Sequence, residues 1–320
     1  MNYALIVRSA GFPQIWVDEL VDMFKSRDIT FIIADDNCES ISSQIGSANI
    51  LIGCPRHIFT PELLSKAVNL KWVHGTGAGV EQFIFSEFVK SDVLFTNGRI
   101  IQGPEVADHA VALLLSISRN IARFYKGQKY NEMPRAIELR KKTALIHGTG
   151  GIGQLVAERL KAFGMKTIGI GNDLPPMLNI FDEFHEPNQI YDLLPLVDVL
   201  VSCAPYTKST SKFFNKTIFN KMKSSSIFIN VSRGTVVDTE DLTDAVSSGH
   251  FMGVGLDVTD PEPLNDDHPL LSLPNVLITP HMAGPSDHNR RRSFDLICTN
   301  IERYLGEEKL FNIVDKCVGY

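Results

Sequence analysis

The stretch Ala144-Leu145-Ile146-His147-Gly148-Thr149-Gly150-Gly151-Ile152-Gly153 decides how this chain folds. A short apolar run, suited to a buried strand, feeds directly into a G-x-G-x-x-G turn. A helical pattern follows over 154–163 and is closed by Gly164. Each glycine in such a turn has its own reason. Gly148 permits the sharp turn, Gly150 lets the backbone approach a pyrophosphate, and Gly153 lets the helix pack close to the strand. The N–H groups at the helix start complete a phosphate cradle. Glycine clusters also make ordinary loops, so the motif counts only in context. Here a strand precedes it, a helix follows, and a second strand comes at 167–170. That context marks Gly148, Thr149, Gly150, Gly151, Ile152 and Gly153 as a dinucleotide-binding segment.

Outward from this unit, short β-branched runs alternate with helical patterns. Strands are expected at 4–7, 49–52, 71–73, 93–95, 144–147, 167–170, 197–203, 227–231, 253–258 and 276–278. Helices are expected between them, at 15–24, 62–67, 152–163 and 240–247. This alternation implies an α/β chain whose parallel sheets are covered on both faces. Two longer helices stand apart. One opens at Gly103-Pro104 and runs to about 122, with Val106, Ala110, Leu113, Leu114, Ile117 and Ile121 forming one apolar face. The other covers about 287–304, after Gly284-Pro285. The simplest organisation has two domains, the second inserted into the first: 1–101 with 287–320, and 102–286. A length of 320 residues suits this, since single cores stop growing near ~250–300 residues.

Composition narrows the function classes. The net charge of −6 argues against a duplex nucleic-acid binder, which usually shows a basic face. The longest apolar-rich stretch, 106–117, is interrupted by Asp108, His109 and Ser116, so no membrane span is expected. The start lacks the basic lead-in and apolar length of a secretory signal. Five cysteines without a C-x-x-C pair read as reduced thiols of a cytoplasmic protein, and no metal site is expected.

One feature of the dinucleotide unit is unusual. An acid about 20 residues past the glycine loop ordinarily holds the ribose diol. Here the strand ends Ile170-Gly171-Asn172-Asp173, with Gly171 where the acid should fall. No arginine follows to grip a 2′-phosphate, and an inward-pointing Asp173 would oppose one. Gly171 and Asn172 are therefore counted in the cofactor site, and NAD(H) and NADP(H) both stay open.

Three further segments place polar residues at the carboxyl ends of expected strands, where open α/β sheets bind ligands. They are Asn230-Val231-Ser232-Arg233-Gly234, Asp257-Val258-Thr259-Asp260-Pro261-Glu262-Pro263, and Thr279-Pro280-His281-Met282-Ala283-Gly284. With the glycine loop, with Gly75-Thr76-Gly77-Ala78-Gly79-Val80-Glu81 and with Pro104-Glu105-Val106-Ala107-Asp108-His109, the chain resembles the D-isomer-specific 2-hydroxyacid dehydrogenases. The likeness runs in order along nearly the whole chain. It implies two doubly wound parallel-sheet domains, a flavodoxin-like substrate domain and a Rossmann cofactor domain. It also implies transfer of a hydride between NAD(P)(H) and a small anionic 2-oxo acid. His281 then matches the proton donor, and Glu262 the acid that orients it and pairs with it when protonated. Arg233 matches the substrate arginine, whose planar fork grips a carboxylate. Asp257 matches the residue that holds the nicotinamide carboxamide. The backbone of Gly77, Ala78 and Gly79 matches the loop that receives the substrate carboxylate.

Taken singly, each of these residues also has an ordinary reading. His281 could be a loop histidine, Arg233 a surface arginine and Glu262 a solvated loop acid. Among the other candidates, His109 reads as an inter-domain packing residue and His147 as a neighbour of the loop. Trp72 and Phe83 read as core or cleft aromatics, and Arg290-Arg291-Arg292 as a solvated face. Within the family, Glu262 stands where formate dehydrogenases place glutamine. The chain also stops soon after its last helix, unlike phosphoglycerate dehydrogenases with regulatory tails. Glyoxylate and hydroxypyruvate are the substrates the resemblance puts first, and dimerisation through helix 103–122 is expected with them. The alternative from a different class is a non-catalytic nicotinamide sensor on the same fold.

Overall fold

The computed structural model describes residues 2–9, 12–172 and 179–319. Asp173 and Tyr320 lie outside them. The chain divides into two compact units, Met1–Gln102 with Ser286–Tyr320, and Gly103–Pro285.

The strands of the first unit are β1 (Asn2–Arg8), β2 (Ile29–Asp35), β3 (Ile50–Ile52), β4 (Trp72–Gly75) and β5 (Leu94–Asn97). They pair in parallel in the order β2-β1-β3-β4-β5, a flavodoxin-like arrangement. The pleat sorts the side chains of β1 onto two faces. Ala4 and Ile6 meet Val17 and Leu20 of helix Gln14–Met23 and Phe294, Ile297 and Ile301 of helix Asn289–Leu305. Leu5 and Val7 face Ile41, Leu63 and Phe88 on the other side. Trp72 and Phe83 are buried in these cores, Trp72 stacking on Tyr304 and donating its Nε1–H to Thr96. They are packing residues of the unit rather than lining residues. The last segment is tied down by Lys316, whose Nζ donates to the carbonyls of Phe88, Ser91 and Val93.

The second unit holds β6 (Thr143–His147), β7 (Lys166–Ile170), β8 (Glu183–His185), β9 (Val199–Ser202), β10 (Ile227–Asn230), β11 (Gly253–Leu256) and β12 (Val276–Ile278). Their order is β12-β11-β10-β9-β6-β7-β8, again all parallel. The chain leaves β6 for β7 and β8 on one side, then returns to β9 on the other. This creates the topological switch point beside β6, where α/β sheets of the Rossmann kind bind ligands.

One sequence expectation needs correction. The long helix does not continue to 122; it spans Gly103–Ser118 and breaks at Asn120, which adopts φ 61° before a short helix Ile121–Tyr125. Asparagine tolerates this left-handed geometry, and its Nδ2 donates to Pro134 O at 2.7 Å. Ile121 consequently leaves the apolar face and is exposed. The other residues of that face, Val106 through Ile117, are buried in their own unit's core against β6, β9 and β10.

Candidate active site

The carboxyl ends of β6, β10, β11 and β12 carry the candidate residues of the second unit. At β6 the three glycines are distinguished by what surrounds them. Gly148 has φ 101°, and a Cβ there would lie 2.5 Å from Ala204 N. A Cβ on Gly153 would come within 1.9 Å of the Gly148 carbonyl oxygen, so the helix sits as close to the turn as backbone allows. Gly150 is the reverse: its missing Cβ would meet nothing within 4 Å. It is also the N-cap of helix Gly151–Ala162, so a helix N-terminus opens onto clear space. Two jammed glycines and one open one are what a pyrophosphate cradle requires, and these residues fit a dinucleotide.

After β10, Asn230 builds the turn that carries Arg233. It is fully buried; its Oδ1 accepts from Ser232 N and Oγ, and its Nδ2 donates to Arg233 O at 2.9 Å. Arg233 Nη1 donates to Ser232 O at 2.7 Å. Gly234 lets this turn press on the loop after β11, since a Cβ there would fall 1.8 Å from Thr259 O. That loop carries Glu262, whose Oε2 accepts from Thr259 N at 3.2 Å.

Asp257 organises the segment after β12. Its side chain is 2% exposed. Oδ1 accepts from the Thr279 hydroxyl at 2.6 Å and Met282 N at 3.0 Å, and Oδ2 from Ala283 N at 3.1 Å. Its carbonyl accepts from His281 N at 2.8 Å. Residues 279–283 are thus wrapped around one carboxylate. Burial alone would push that carboxyl up, but the hydrogen bonds from His109, Thr279, Met282 and Ala283 outweigh it and hold its pKa at about 2.

His281 stands at φ 51°, a strained geometry for a non-glycine residue that the wrapped segment sustains. Its ring projects to Glu262, with Nδ1 at 2.7 Å from Oε1. A carboxylate only accepts, so Nδ1 carries a proton and Nε2 is left for other work. Both side chains are close to half exposed.

His109 proves to be more than a packing residue. Its Nε2 lies 2.8 Å from Thr279 Oγ1 and 3.3 Å from Asp257 Oδ1, all within the second unit. The Thr279 hydroxyl already gives its one proton to Asp257, so His109 Nε2–H is the donor to Thr279. Residues 109 and 279 are 170 positions apart, and no local pattern announces their meeting. His147, by contrast, is buried against Phe213 at 4.7 Å between ring centroids, and burial pushes its pKa down to about 4. It is a neutral core histidine.

In the first unit, the Gly77–Gly79 turn is anchored through its carbonyls. Gly98 N donates to Gly77 O at 2.9 Å, and Asn97 Nδ2 donates to Ala78 O at 2.7 Å. Arg56 lies over this turn, its Nη2 2.6 Å from where a Cβ on Gly77 would be. Of the arginine run, Arg291 pairs with Glu19 and Asp295, and Arg292 donates to Ile101 O. Arg290 is exposed.

Residues 111–283, more than half of the chain, match the family described as D-isomer specific 2-hydroxyacid dehydrogenase, NAD binding domain. The chain belongs to the D-isomer-specific 2-hydroxyacid dehydrogenase family. As a member it is an NAD(P)-dependent oxidoreductase of the hydroxyacid and oxo acid class. The human glyoxylate reductase/hydroxypyruvate reductase is 31% identical over 262 residues, covering 80% of each chain. A D-isomer specific 2-hydroxyacid dehydrogenase from Xanthobacter autotrophicus, solved with NADPH and MES, is 27% identical with a TM-score of 0.81. That match covers 100% of both chains. The D-lactate dehydrogenase of Aquifex aeolicus, solved with NAD and lactic acid, is 26% identical with a TM-score of 0.76. It covers 98% of this chain and 99% of that one. Among the described residues, no helix is long and apolar enough to cross a membrane.

Proposed function

We propose that this dehydrogenase interconverts a small 2-oxo acid and its 2-hydroxy acid with NAD(H) or NADP(H). The observation that carries the proposal is the His281–Glu262 pair, 2.7 Å apart, on the segment folded around Asp257. Gly148, Thr149, Gly150, Gly151, Ile152 and Gly153 would hold the pyrophosphate, Gly171 and Asn172 would meet the adenosine ribose, and Asp257 would hold the carboxamide. When bound, the nicotinamide supplies or accepts the hydride.

In the reductive direction His281 gives a proton from Nε2 to the substrate's carbonyl oxygen, while Glu262 accepts the Nδ1–H and fixes the ring. Arg233 binds the substrate's carboxylate and polarises its carbonyl. In the oxidative direction His281 takes the hydroxyl proton back. A non-catalytic sensor on the same fold can retain these residues too, so the His281–Glu262 pair favours the enzyme and turnover decides between them. A homodimer is part of the proposal. Exposed Phe124, Tyr125 and Tyr130, just beyond helix Gly103–Ser118, are the surface a second copy would cover. The five free thiols favour a cytoplasmic setting.

The test is turnover of purified protein with NADH or NADPH on a panel of 2-oxo acids, glyoxylate and hydroxypyruvate first. His281→Ala is expected to lower kcat by about 10²–10⁴-fold while cofactor affinity is kept. Cofactor binding without turnover on any acid of the panel would favour the sensor.

A further inference from the structure

Helix Gly103–Ser118 meets β11 along one line of side chains. A Cβ on Gly253 would lie 2.5 Å from Ile117 Cγ2, and one on Gly255 would lie 3.0 Å from Leu113 Cβ. One step further along, Asp257 Oδ1 lies 3.3 Å from His109 Nε2. Four helical residues advance about 6 Å and two strand residues about 6.6 Å, so positions 117, 113 and 109 keep pace with 253, 255 and 257. The two glycines let the helix lie close, and His109, the polar end of that line, reaches the carboxylate just past the strand. There one N–H serves two acceptors. It donates to Thr279 Oγ1 at 2.8 Å and faces Asp257 Oδ1 as well. The other tautomer would set a bare nitrogen against Oδ1 and draw the Thr279 proton away from Asp257. With Nε2–H in place, the Thr279 hydroxyl is turned to Oδ1 at 2.6 Å, and the Thr279 carbonyl accepts from His281 N at 3.0 Å. Burial pushes the Asp257 carboxyl up, and His109 is foremost among the hydrogen bonds that bring it down to about 2. A carboxylate offers about four acceptor positions. Thr279 and Met282 fill those of Oδ1, whereas among the described residues Oδ2 accepts from Ala283 N alone. One acceptor position of a buried carboxylate is thus left for a further donor.

We propose that His109 is a positioning residue for the nicotinamide carboxamide. Through Thr279 it commits Oδ1 of Asp257 to the chain's own donors, so that Oδ2 keeps an acceptor for the carboxamide N–H. The same contact holds residues 279–283, with His281 among them, in register. The proposal rests on the dinucleotide reading of the glycine loop and on Asp257 as the carboxamide's partner. What matters is then a hydrogen-bond donor at the place of Nε2, which glutamine also supplies and leucine does not.

The experiment compares wild type, His109→Gln and His109→Leu as full purified chains. Calorimetric titration without substrate gives the affinity for NADH or NADPH, whichever binds, and for its acetylpyridine analogue, which lacks the carboxamide N–H. Thermal unfolding and steady-state kinetics on a 2-oxo acid accompany it. His109→Leu is expected to weaken the cofactor at least about fivefold and the analogue by less than about twofold. Its kcat should fall about tenfold, with KM for the 2-oxo acid within about threefold of wild type. His109→Gln should bring cofactor affinity and kcat back to within about threefold of wild type. Equal losses for cofactor and analogue would overturn the proposal, as would wild-type affinity for both in His109→Leu. So would a glutamine variant with wild-type Tm and the affinities of the leucine variant. If the leucine variant does not fold, His109→Asn, whose amide stops short of the Nε2 position, takes its place in the same comparison. Cofactor binding without turnover would overturn the enzyme reading and leave the two affinities to decide on His109. A wild type that binds neither nucleotide would instead overturn the dinucleotide reading, and this proposal with it.

Discussion

Replacing Asp257 by asparagine tests whether one buried carboxylate holds the histidine segment in shape. Two routes give the magnitude. A carboxyl held at about 2 instead of its ordinary 3.8 stabilises the folded protein by roughly 2 kcal/mol at neutral pH. The second route counts partners. Thr279 Oγ1, Met282 N and Ala283 N all donate to Asp257, and an asparagine must turn its own NH₂ toward at least one of them. A buried donor left without an acceptor costs about 1–3 kcal/mol. The two figures describe the same contacts and do not add, so about 2–3 kcal/mol is expected.

The pH dependence carries the signature. The folded-state pKa is depressed, so the stabilisation is complete above the unfolded value and is lost as pH falls through about 2. Linkage leaves roughly half of it at pH 3. Urea unfolding of wild type and Asp257→Asn, followed by far-ultraviolet circular dichroism at several pH values, measures the gap. Trp16 and Trp72 both belong to the first unit, and their fluorescence is the internal reference for that unit. A gap below ~0.5 kcal/mol at pH 7, or one that fails to narrow between pH 5 and pH 3, would refute the reasoning.

Two further outcomes are expected. Gly234→Ala drives a methyl into backbone at Thr259 O, so thermal unfolding should show a loss of about 1–3 kcal/mol, and kcat should fall because the Arg233 turn is pushed off the Glu262 loop. Wild-type Tm and kcat in that variant would contradict the close packing described. Cys38 and Cys317 are exposed, whereas burial pushes the thiols of Cys54, Cys203 and Cys298 up to about 12. A thiol reagent at about pH 8 should therefore label two cysteines quickly in the native protein and all five only after unfolding.

Strands with a dense apolar, β-branched run are legible at the level of a residue or two, as 144–147 and 276–278 show against β6 and β12. Two strands go unread for different reasons. Ile29-Thr30-Phe31-Ile32-Ile33-Ala34-Asp35 carries as strong a β signal as any, and pairing with β1 makes it β2. Glu183-Phe184-His185 carries none: it is a three-residue edge strand, held by its pairing with β7. The helix end at Ser118 was hidden because the apolar spacing continues through Ile121, while the break depends on Asn120 reaching Pro134.

The glycine loop, its strand and its helix follow from local sequence, because turn strain, backbone approach and helix start act over about ten residues. Order along the chain and resemblance grouped Arg233, Glu262 and His281; their geometry was beyond both. Folding decided that Asp257 would gather Thr279, Met282 and Ala283, and that His109 would close that cluster from a helix far away in sequence. Gly171, which in the sequence is only a missing acid, lies in three dimensions beside Thr149, which is 22 residues earlier and near it only because β6 and β7 pair. Contacts of that kind depend on which strands become neighbours, and a linear pattern does not encode them.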